Sequence, residues 1–560
     1  MRGGRVWLTA AMLLVVFAAL CGRELRWDTP TVDEFAHLPA GYHYLQTGRF
    51  DLFSANPPLV KILCALPLLA LQPAINTAVK IQNTGWFPWI LATDFMERNR
   101  DHFDRIFFFG RLPVVVLGLL LSVLVFLWAR DLYGDEAGLV ALFFTVFCPS
   151  IIAHAHLATI DVGLTGLVVF ALYLFSRLMF RPSPGRLIAC GIVLGIAQFT
   201  KFTALLLYPL FVLLALIVWI WGKRFPGYHR WSLAGTLGSL TAVFLLSLLA
   251  LDAAYLFQGV GRPVGAYPFE SRMMQTVTSF LPAGLPLPLP SPWVEGSDQL
   301  QLINDQGEYP EYLFGQWSPE GSKAYYLVTL LFKTPLPLLL AWVLAPAVRA
   351  PGRRGREIFV WLPAVILFVV FSLFSRVHYG IRYVLPVVPL ATIWSARLVP
   401  WVRERSRATQ AVAAVLLLSY PLSALLATSG TLSYFNLLAA GQGERILLDS
   451  NLDWGQGLKR VRAYMDREGL QTIDLAYFGH VDPAIYGIAW HFPRPDRPGL
   501  VAVSANFLHG YPYATYAGGH MVAVPAGAFT WLAKARRVAD LGGGMLVYQV
   551  EAPKTSPSPR

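Results

Sequence analysis

The chain has 560 residues, of which 55% are hydrophobic and only 14% are charged, and this composition excludes a soluble globular protein. It indicates a protein that crosses a membrane several times. The net charge of +12 does not indicate nucleic-acid binding, because the Lys and Arg residues gather in short loops between apolar runs, where they set membrane orientation.

Apolar runs long enough to cross a bilayer, roughly 17 to 25 residues each, recur along the chain. About eleven spans are predicted by this criterion, at 6–22, 110–128, 137–155, 161–179, 187–201, 202–222, 231–251, 323–348, 357–374, 382–400 and 409–428. Arg2 and Arg5 precede the first run, and no clear small-residue cleavage pattern follows it, so we expect an uncleaved span that starts in the cytoplasm.

Numbering the spans alternately from the N-terminus places every basic loop in the cytoplasm. These loops carry Arg130, then Arg177, Arg181 and Arg186, then Lys223, Arg224 and Arg230, then Arg349 to Arg356, and finally Arg403 to Arg407. Counting the run 58–74 as a span would reverse this pattern, so it is predicted to be an interfacial or re-entrant helix in the first external loop. The same rule makes 187–222 a hairpin of two spans that turns near Thr200 and Lys201.

Three regions remain outside the membrane: the loops 23–109 and 252–322, and a tail from about residue 430. We therefore predict a transmembrane domain at 1–429 and a small soluble α/β domain at 430–560. In the tail, strand-like runs and one amphipathic helix alternate. The runs are 446–448, 473–478, 500–503 and 545–550, the helix is Trp454–Glu468, and 553–560 is predicted to be disordered.

Two adjacent acids, Asp33 and Glu34, stand in the first external loop at the start of an amphipathic pattern. The apolar positions of that pattern are Phe35, Leu38, Tyr42 and Leu45, and they predict a helix that lies on the membrane surface. The segment from Thr31 to Glu34 also fits a capping box, in which Glu34 returns to the Thr31 amide. Adjacent helical residues diverge by about 100°, so one acid can cap the helix while the other faces a cleft.

These acids are followed by Asn56-Pro57-Pro58-Leu59 and by Phe109-Gly110-Arg111-Leu112-Pro113 at the start of the second span. In this order and position, the motifs resemble membrane glycosyltransferases of the GT-C class, especially protein O-mannosyltransferases and bacterial lipid A aminoarabinose transferases. The resemblance implies a catalytic acid in the first external loop, a sugar donor on a polyprenyl phosphate, and an acceptor outside the cytoplasm. By that match, Asp33 is the base and Glu34 is its neighbour in the catalytic pair.

The chemistry suits these residue types, because an acceptor hydroxyl that attacks an anomeric carbon needs a carboxylate to take its proton. The polyprenyl phosphate leaves as a stable anion, so one carboxylate and a phosphate-binding cation suffice. Lys201, at the predicted external turn, and Arg382, in the external loop 375–383, are the candidates for this cation. A snorkelling interfacial lysine is the alternative for Lys201. His378 and Tyr379, in the same loop as Arg382, are further candidates for substrate binding.

A group of polar residues surrounds the start of the fourth span. Asp161 follows His154 and His156, and this cluster could bind sugar hydroxyls or a divalent metal ion. The alternative is an N-cap aspartate with interfacial histidines. His37, one turn after Asp33, could share the metal or orient the base. The sequence makes no cofactor certain and leaves a divalent metal ion open.

In the tail, the segment from Asp449 to Asp453 suggests a calcium loop, but Trp454 and Arg460 replace the glycine and glutamate that such a loop requires. Asp453 is instead predicted to cap the helix Trp454–Glu468. The stretches 434–456 and 477–479 resemble segments that follow the membrane region in some bacterial members of the class. We expect the tail to cover the external cleft or to select the acceptor.

The sequence therefore predicts an inverting glycosyltransferase of the bacterial inner membrane, with its active site and tail in the periplasm. The expected donor is a hexose or pentose on a polyprenyl phosphate, and the acceptor is a protein, a lipid or a glycan. Membrane lipids are expected partners and nucleic acid is not. The alternative is a polytopic transporter or lipid flippase, which would place its charged residues near the middle of the spans rather than at their outer ends.

Overall fold

The structure is a computed structural model that describes residues 2–78, 87–222, 228–229, 231–306, 310–348, 354–427, 430–517 and 519–551. Most of these residues are helical, as the composition predicts. Three groups of residues named above lie outside the described ones: Lys223, Arg224 and Arg230 of one basic loop, 349–353 of another, and the tail 553–560.

The helices follow one another through the membrane region and its loops. In chain order they are α1 (Arg2–Trp27), α2 (Val32–Thr47), α3 (Leu59–Ala65), α4 (Leu68–Leu71), α5 (Phe87–Arg98), α6 (Phe103–Tyr133), α7 (Asp135–Val146), α8 (Pro149–Ala155), α9 (Asp161–Phe180), α10 (Pro184–Gln198), α11 (Leu207–Trp221), α12 (Leu233–Ala254), α13 (Arg272–Ser279), α14 (Ser291–Gln306), α15 (Tyr325–Lys333), α16 (Leu336–Leu344), α17 (Arg354–Phe374), α18 (Val387–Ser395), α19 (Leu398–Arg403), α20 (Arg407–Ser419), α21 (Leu422–Leu425), α22 (Leu458–Glu468) and α23 (Ala505–Leu508).

Seven helical segments of the described chain are long and apolar enough to cross a membrane, and they contain α1, α6, α9, α11, α12, α17 and α20. Two bent pairs, α7 with α8 and α15 with α16, raise the number to nine if each pair is one span. The chain is therefore a polytopic helical membrane protein. The predicted number of eleven spans is not confirmed, because 187–201 forms the shorter helix α10 and 382–400 is divided between the short helices α18 and α19.

The segment 23–109, which the sequence predicts to be the first external loop, contains the helices α2 to α5. The run 58–74 forms only the short helices α3 and α4, as predicted. The predicted helix forms as α2, and its position at the membrane surface stays a prediction. Most of α2 is buried within the protein, because α3 and α5 pack against it and the tail covers its start.

The close approach of α2 and α3 depends on Gly41. A Cβ added there would lie 1.9 Å from the Lys61 carbonyl oxygen. The backbone around Lys61 cannot move aside as the end of a flexible side chain can. Gly41→Ala should therefore push the two helices apart and lower the free energy of unfolding by about 1–3 kcal/mol. Thermal unfolding of the purified protein in detergent should show a lower midpoint. Gly22→Ala in α1, where nothing lies within 4 Å, is the matched control and should not lower it. Equal midpoints for the two variants would contradict this packing.

The tail contains a mixed sheet whose strands are ordered β4-β3-β5-β9-β8. β3 pairs in parallel with β4 and β5, and β9 pairs antiparallel with β5 and β8. Two separate hairpins are formed by β1 with β2 and by β6 with β7. The strands are β1 (Glu311–Leu313), β2 (Gln316–Ser318), β3 (Ile473–Ala476), β4 (Trp490–His491), β5 (Gly499–Ser504), β6 (Tyr513–Ala517), β7 (His520–Val524), β8 (Arg536–Gly542) and β9 (Met545–Val550).

Three predictions for the tail are wrong. The run 446–448 is not a strand. Its apolar side chains are buried, but its backbone forms a turn and an irregular segment that pairs with no sheet. The helix begins at Leu458 rather than at Trp454, and its N-cap residue is Gly457. Asp453 does not cap it; its carboxylate accepts hydrogen bonds from the Gly455 amide and the Ser504 hydroxyl.

Candidate active site

A cavity of about 610 Å³ lies where the segments 23–109 and 252–322 meet the tail. The residues that line it come from segments far apart in the sequence. Four of the predicted site residues are among them: Asp33, Lys201, Tyr379 and Arg382. The fold therefore brings together a carboxylate and two cations that the sequence places hundreds of residues apart.

Asp33 lies in the first turn of α2 and contacts Arg382 across the cavity. The Arg382 Nη1 donates to the Asp33 Oδ2 at 2.5 Å, and the Asp33 side chain keeps 24% of its surface exposed. Arg382 is held from two further sides. Its Nε donates to the Tyr379 carbonyl at 3.1 Å, and its guanidinium lies 4.3 Å from the centre of the Trp454 ring. This side of the cavity thus presents an accessible carboxylate beside a cation in a fixed position.

Lys201 lies at the turn after α10, where the sequence predicted a hairpin. Its ammonium donates to the Asp161 Oδ1 at 2.9 Å and lies 4.4 Å from the centre of the Tyr383 ring. Asp161 was predicted to bind substrate, but its side chain is only 1% exposed and lies behind Lys201. This geometry fits a positioning role for Asp161, because the carboxylate fixes the ammonium that reaches the cavity.

Glu34 turns away from the cavity into a buried ion pair. Arg111 donates to both carboxylate oxygens of Glu34, at 2.7 and 2.8 Å, and the Thr31 and Ala158 amides donate at 3.0 and 2.6 Å. Burial alone would raise the pKa of Glu34, but Arg111 and these amides hold the pKa below its usual value, so the carboxylate stays charged. The capping box is confirmed, and Glu34 has the environment of a structural residue rather than a reacting one.

The tail holds the segment that leads into α2. The Thr29 amide donates to the Gln456 carbonyl at 3.1 Å, and the Val32 amide donates to the Trp454 carbonyl at 2.9 Å. Directly before this segment, the buried Asp28 accepts a hydrogen bond from the Arg460 Nη1 at 2.7 Å. We call these contacts between 28–32 and 454–460 the tail clamp. They fix the start of α2, and with it the position of Asp33.

The predicted metal ligands are not gathered into one set. His156 uses both ring nitrogens within the protein, with Nε2 2.9 Å from the Asp28 carboxylate and Nδ1 2.8 Å from the Ile152 carbonyl. His37 and His154 are buried, and their ring nitrogens have no hydrogen-bond partner among the described residues. In that part of the chain, no group of three His, Cys, Asp or Glu side chains could hold a metal ion.

His378, which was predicted to bind substrate, lies outside the large cavity. Its Nδ1 is 3.1 Å from the Glu311 Oε2, and its ring packs edge-on against Tyr325. Burial lowers the pKa of His378 to about 4 and raises that of Glu311 to about 7. Of the predicted residues in loop 375–383, Tyr379 and Arg382 line the cavity, and His378 is buried beside it.

Sequence reasoning missed much of the cavity wall. The tail contributes one carboxylate and several aromatic rings, and the loop 252–322 contributes a mixed polar and aromatic surface. The tail residues are Asp449, Trp454, Phe478, Tyr511 and Tyr513. Asp449 lies in the segment 449–453, whose acidic residues suggested a calcium loop. The sequence thus singled out this segment, but it did not indicate that Asp449 lines a cavity.

Residues 103–248 match the family model of the dolichyl-phosphate-mannose-protein mannosyltransferases. This match covers α6 to most of α12 and contains Arg111, Asp161 and Lys201. The predicted resemblance to GT-C membrane glycosyltransferases is confirmed by it. No curated protein matches the chain.

Several solved structures are similar to the chain at low sequence identity. ArnT from Cupriavidus metallidurans in the apo state is 15% identical over 100% of both chains, with a TM-score of 0.46. The archaeal oligosaccharyltransferase AglB from Archaeoglobus fulgidus, in complex with an inhibitory peptide and a dolichol-phosphate, is 11% identical over 74% of this chain and 54% of its own, with a TM-score of 0.44. The S. cerevisiae protein O-mannosyltransferase Pmt1-Pmt2 complex bound to the sugar donor is 20% identical over 45% of this chain and 33% of its own, with a TM-score of 0.30.

Proposed function

We propose that the chain is an inverting glycosyltransferase that moves a hexose or pentose from a polyprenyl-phosphate carrier to an acceptor outside the cytoplasm. The observation that carries this proposal is one cavity that contains the accessible carboxylate of Asp33 and the cationic groups of Lys201 and Arg382. A base for the acceptor and cations for the leaving phosphate are the two requirements of this reaction.

In the proposed reaction, the acceptor hydroxyl attacks the anomeric carbon from the face opposite the phosphate and gives its proton to Asp33. The bond between the anomeric carbon and the phosphate oxygen breaks, and its electron pair leaves with the polyprenyl phosphate. Lys201 and Arg382 stabilise the negative charge on that phosphate. A single displacement inverts the configuration of the sugar, and no acid is needed for the leaving group.

Arg382 has the right chemistry to interact with both the base and the leaving phosphate. A guanidinium carries five N–H donors in a planar fork, so it can orient the Asp33 carboxylate and bind phosphate oxygens at the same time. The Trp454 ring under Arg382 supports this role, because it holds the guanidinium plane without using its donors.

The distribution of charges supports a membrane orientation with the cavity on the outer side. Arg111 of α6 binds Glu34 near the cavity, and Arg130 follows nineteen residues later, about 28 Å along the helix. That distance matches the roughly 30 Å of a hydrocarbon core. At the far end, Arg177 and Arg356 both pair with Asp131. By the positive-inside rule, we place this end in the cytoplasm and the cavity in the periplasm of a bacterial inner membrane.

The proposed function is tested with the purified full-length protein in lipid nanodiscs, supplied with labelled polyprenyl-phosphate sugars and envelope material from a deletion strain. We expect release of free polyprenyl phosphate together with the label in a protein, lipid or glycan product. A transporter or flippase would move the donor and leave its sugar–phosphate bond intact. Intact donor throughout a panel of sugars would contradict the proposal.

Arg382→Gln should weaken the binding of sugar-free polyprenyl phosphate by roughly tenfold or more, because it removes charge-assisted hydrogen bonds to the phosphate. Binding can be measured in nanodiscs by microscale thermophoresis. The control is Arg376→Gln, which removes an exposed arginine from the same loop and should leave the affinity unchanged. Equal affinities for the two variants would show that Arg382 does not bind the phosphate.

A further inference from the structure

The carboxylates that line the cavity differ in whether they have an ion-pair or hydrogen-bond partner within the protein. Most of them have partners: Asp33 pairs with Arg382, Asp51 with Arg49, and Glu295 with Arg262, while Asp298 accepts hydrogen bonds from Glu270 and Ser271. Of the remaining two, Glu270 and Asp449, neither forms an ion pair within the part of the chain that the structure describes, and only Asp449 belongs to the tail. Asp449 lies partly buried in the cavity wall, and the Arg382 guanidinium attracts its carboxylate.

The backbone holds Asp449 in place at some cost. Its φ of 56° is left-handed, a conformation that residues other than glycine adopt rarely and that Asp and Asn tolerate best. Its amide donates to the Asn506 Oδ1 at 2.9 Å. The next residue, Ser450, donates its hydroxyl to the Tyr379 carbonyl at 2.9 Å. The tail is thereby fastened to the loop that carries Arg382, and Asp449 is fixed relative to the proposed phosphate site.

Aromatic rings of the tail line the same cavity as this carboxylate. Phe478 packs with Tyr511 and Tyr513, at 5.4 and 4.6 Å between ring centres, and all three side chains line the cavity. Trp454 lines it as well, beside Arg382. A sugar ring presents C–H groups on its faces and hydroxyls at its edge. Aromatic faces beside a hydrogen-bond acceptor therefore match the chemistry of a neutral monosaccharide.

The position of Trp454 beside Arg382 indicates which part of the substrate the tail contacts. In a polyprenyl-phosphate sugar, the group bonded directly to the phosphate on the side away from the lipid is the sugar. If Arg382 holds the phosphate, the neighbouring ring of Trp454, 4.3 Å from the guanidinium, lies within reach of that sugar. The part of the cavity wall that 252–322 contributes is then available for the acceptor.

We propose that the tail forms the subsite for the sugar that is transferred, with Asp449 accepting hydrogen bonds from its hydroxyls and the aromatic rings packing on its face. This inference rests on the proposed function and assigns part of the donor site to a segment outside the membrane domain. Burial raises the pKa of Asp449 to about 6, so at neutral pH the group is mainly the carboxylate, which is the stronger acceptor.

The test compares polyprenyl phosphate without a sugar and with one of three sugars. Binding of a short synthetic polyprenyl phosphate, and of its glucosyl, mannosyl and arabinosyl derivatives, is measured on the full-length protein in nanodiscs. Asp449→Asn suits this test, because asparagine tolerates the left-handed backbone. For the derivative that the wild type binds best, the variant should bind about tenfold or more weakly, while sugar-free polyprenyl phosphate should bind with unchanged affinity.

Two further variants make the result decisive. Asp449→Glu keeps the charge and should recover part of the affinity for the sugar derivative. Asp466→Asn removes an exposed carboxylate from α22 and should change neither affinity. An equal loss for both ligands in Asp449→Asn, or no loss for either, would overturn the sugar subsite while leaving the proposed function intact. Failure of the wild type to bind any of the four ligands would overturn the proposed function itself.

Discussion

Asp33→Asn is expected to lower the rate of sugar transfer by about 10²- to 10⁴-fold, the usual contribution of a positioned general base. The asparagine keeps the size of the side chain but cannot take the acceptor proton. The rate is measured as polyprenyl phosphate released from a labelled donor by the protein in nanodiscs. Because the variant keeps Arg382 and Lys201, it should still bind sugar-free polyprenyl phosphate.

The structure also predicts that Asp33→Asn is not a folding defect. Asp33 lies at the cavity surface, and the amide oxygen of an asparagine there can still accept a hydrogen bond from Arg382. The unfolding midpoint should therefore stay close to that of the wild type. Asp94→Asn is the matched control, because it removes an exposed acid from α5, in the same segment 23–109, and should leave transfer unchanged. Turnover of Asp33→Asn within threefold of the wild type would exclude Asp33 as the base.

Arg111→Met is expected to destabilise the protein by about 3–5 kcal/mol, the cost of leaving a buried charge without its partner. Arg111 is 2% exposed and its partner Glu34 is fully buried, so water cannot replace the lost guanidinium. The substitution also removes the donors to the Asp28 and Thr29 carbonyls, at 2.7 and 2.9 Å. Denaturant unfolding in detergent measures the change.

Two comparisons test the cause of that loss. Adding Glu34→Leu to Arg111→Met should recover much of the stability, because removing both members of a buried pair costs less than removing one. Arg98→Met, which breaks the exposed pair with Asp94, should cost less than about 1 kcal/mol. If Arg111→Met and Arg98→Met cost the same, the buried pair is not a main support of α2.

The sign of the pH dependence follows from Glu34. Its folded-state pKa lies below its value in the unfolded chain, so its contribution is complete at neutral pH. It is lost as the pH falls through the folded-state pKa.

The features that follow from local sequence were predictable. Apolar runs of sufficient length marked most of the spans, since the hydrocarbon core sets that length independently of the fold. The spacing of Thr31 and Glu34 predicted the capping box, and the angle between neighbouring helical residues allowed Asp33 to face elsewhere. The structure shows this division between the two acids.

The features that depend on distant contacts were not predictable. The amphipathic pattern of α2 indicates an apolar face, but it does not show that other helices cover the polar face too. Asp161 looked like a substrate ligand because the sequence does not reveal that Lys201 stands between it and the cavity. Asp449 and Trp454 reach the cavity only through the fold of the tail, and no local template describes that arrangement.

The tail clamp has a consequence for biosynthesis. Residues 28–32 leave the ribosome more than four hundred residues before Trp454 and Gln456, so their amides remain without these carbonyl partners while the rest of the polypeptide is made and inserted. The start of α2, which carries Asp33, acquires its final geometry only once the tail has been made and has packed against it. Under the proposed function, a copy truncated before Trp454 would lack the contacts that position the proposed base, and it would not be expected to consume lipid-linked sugar.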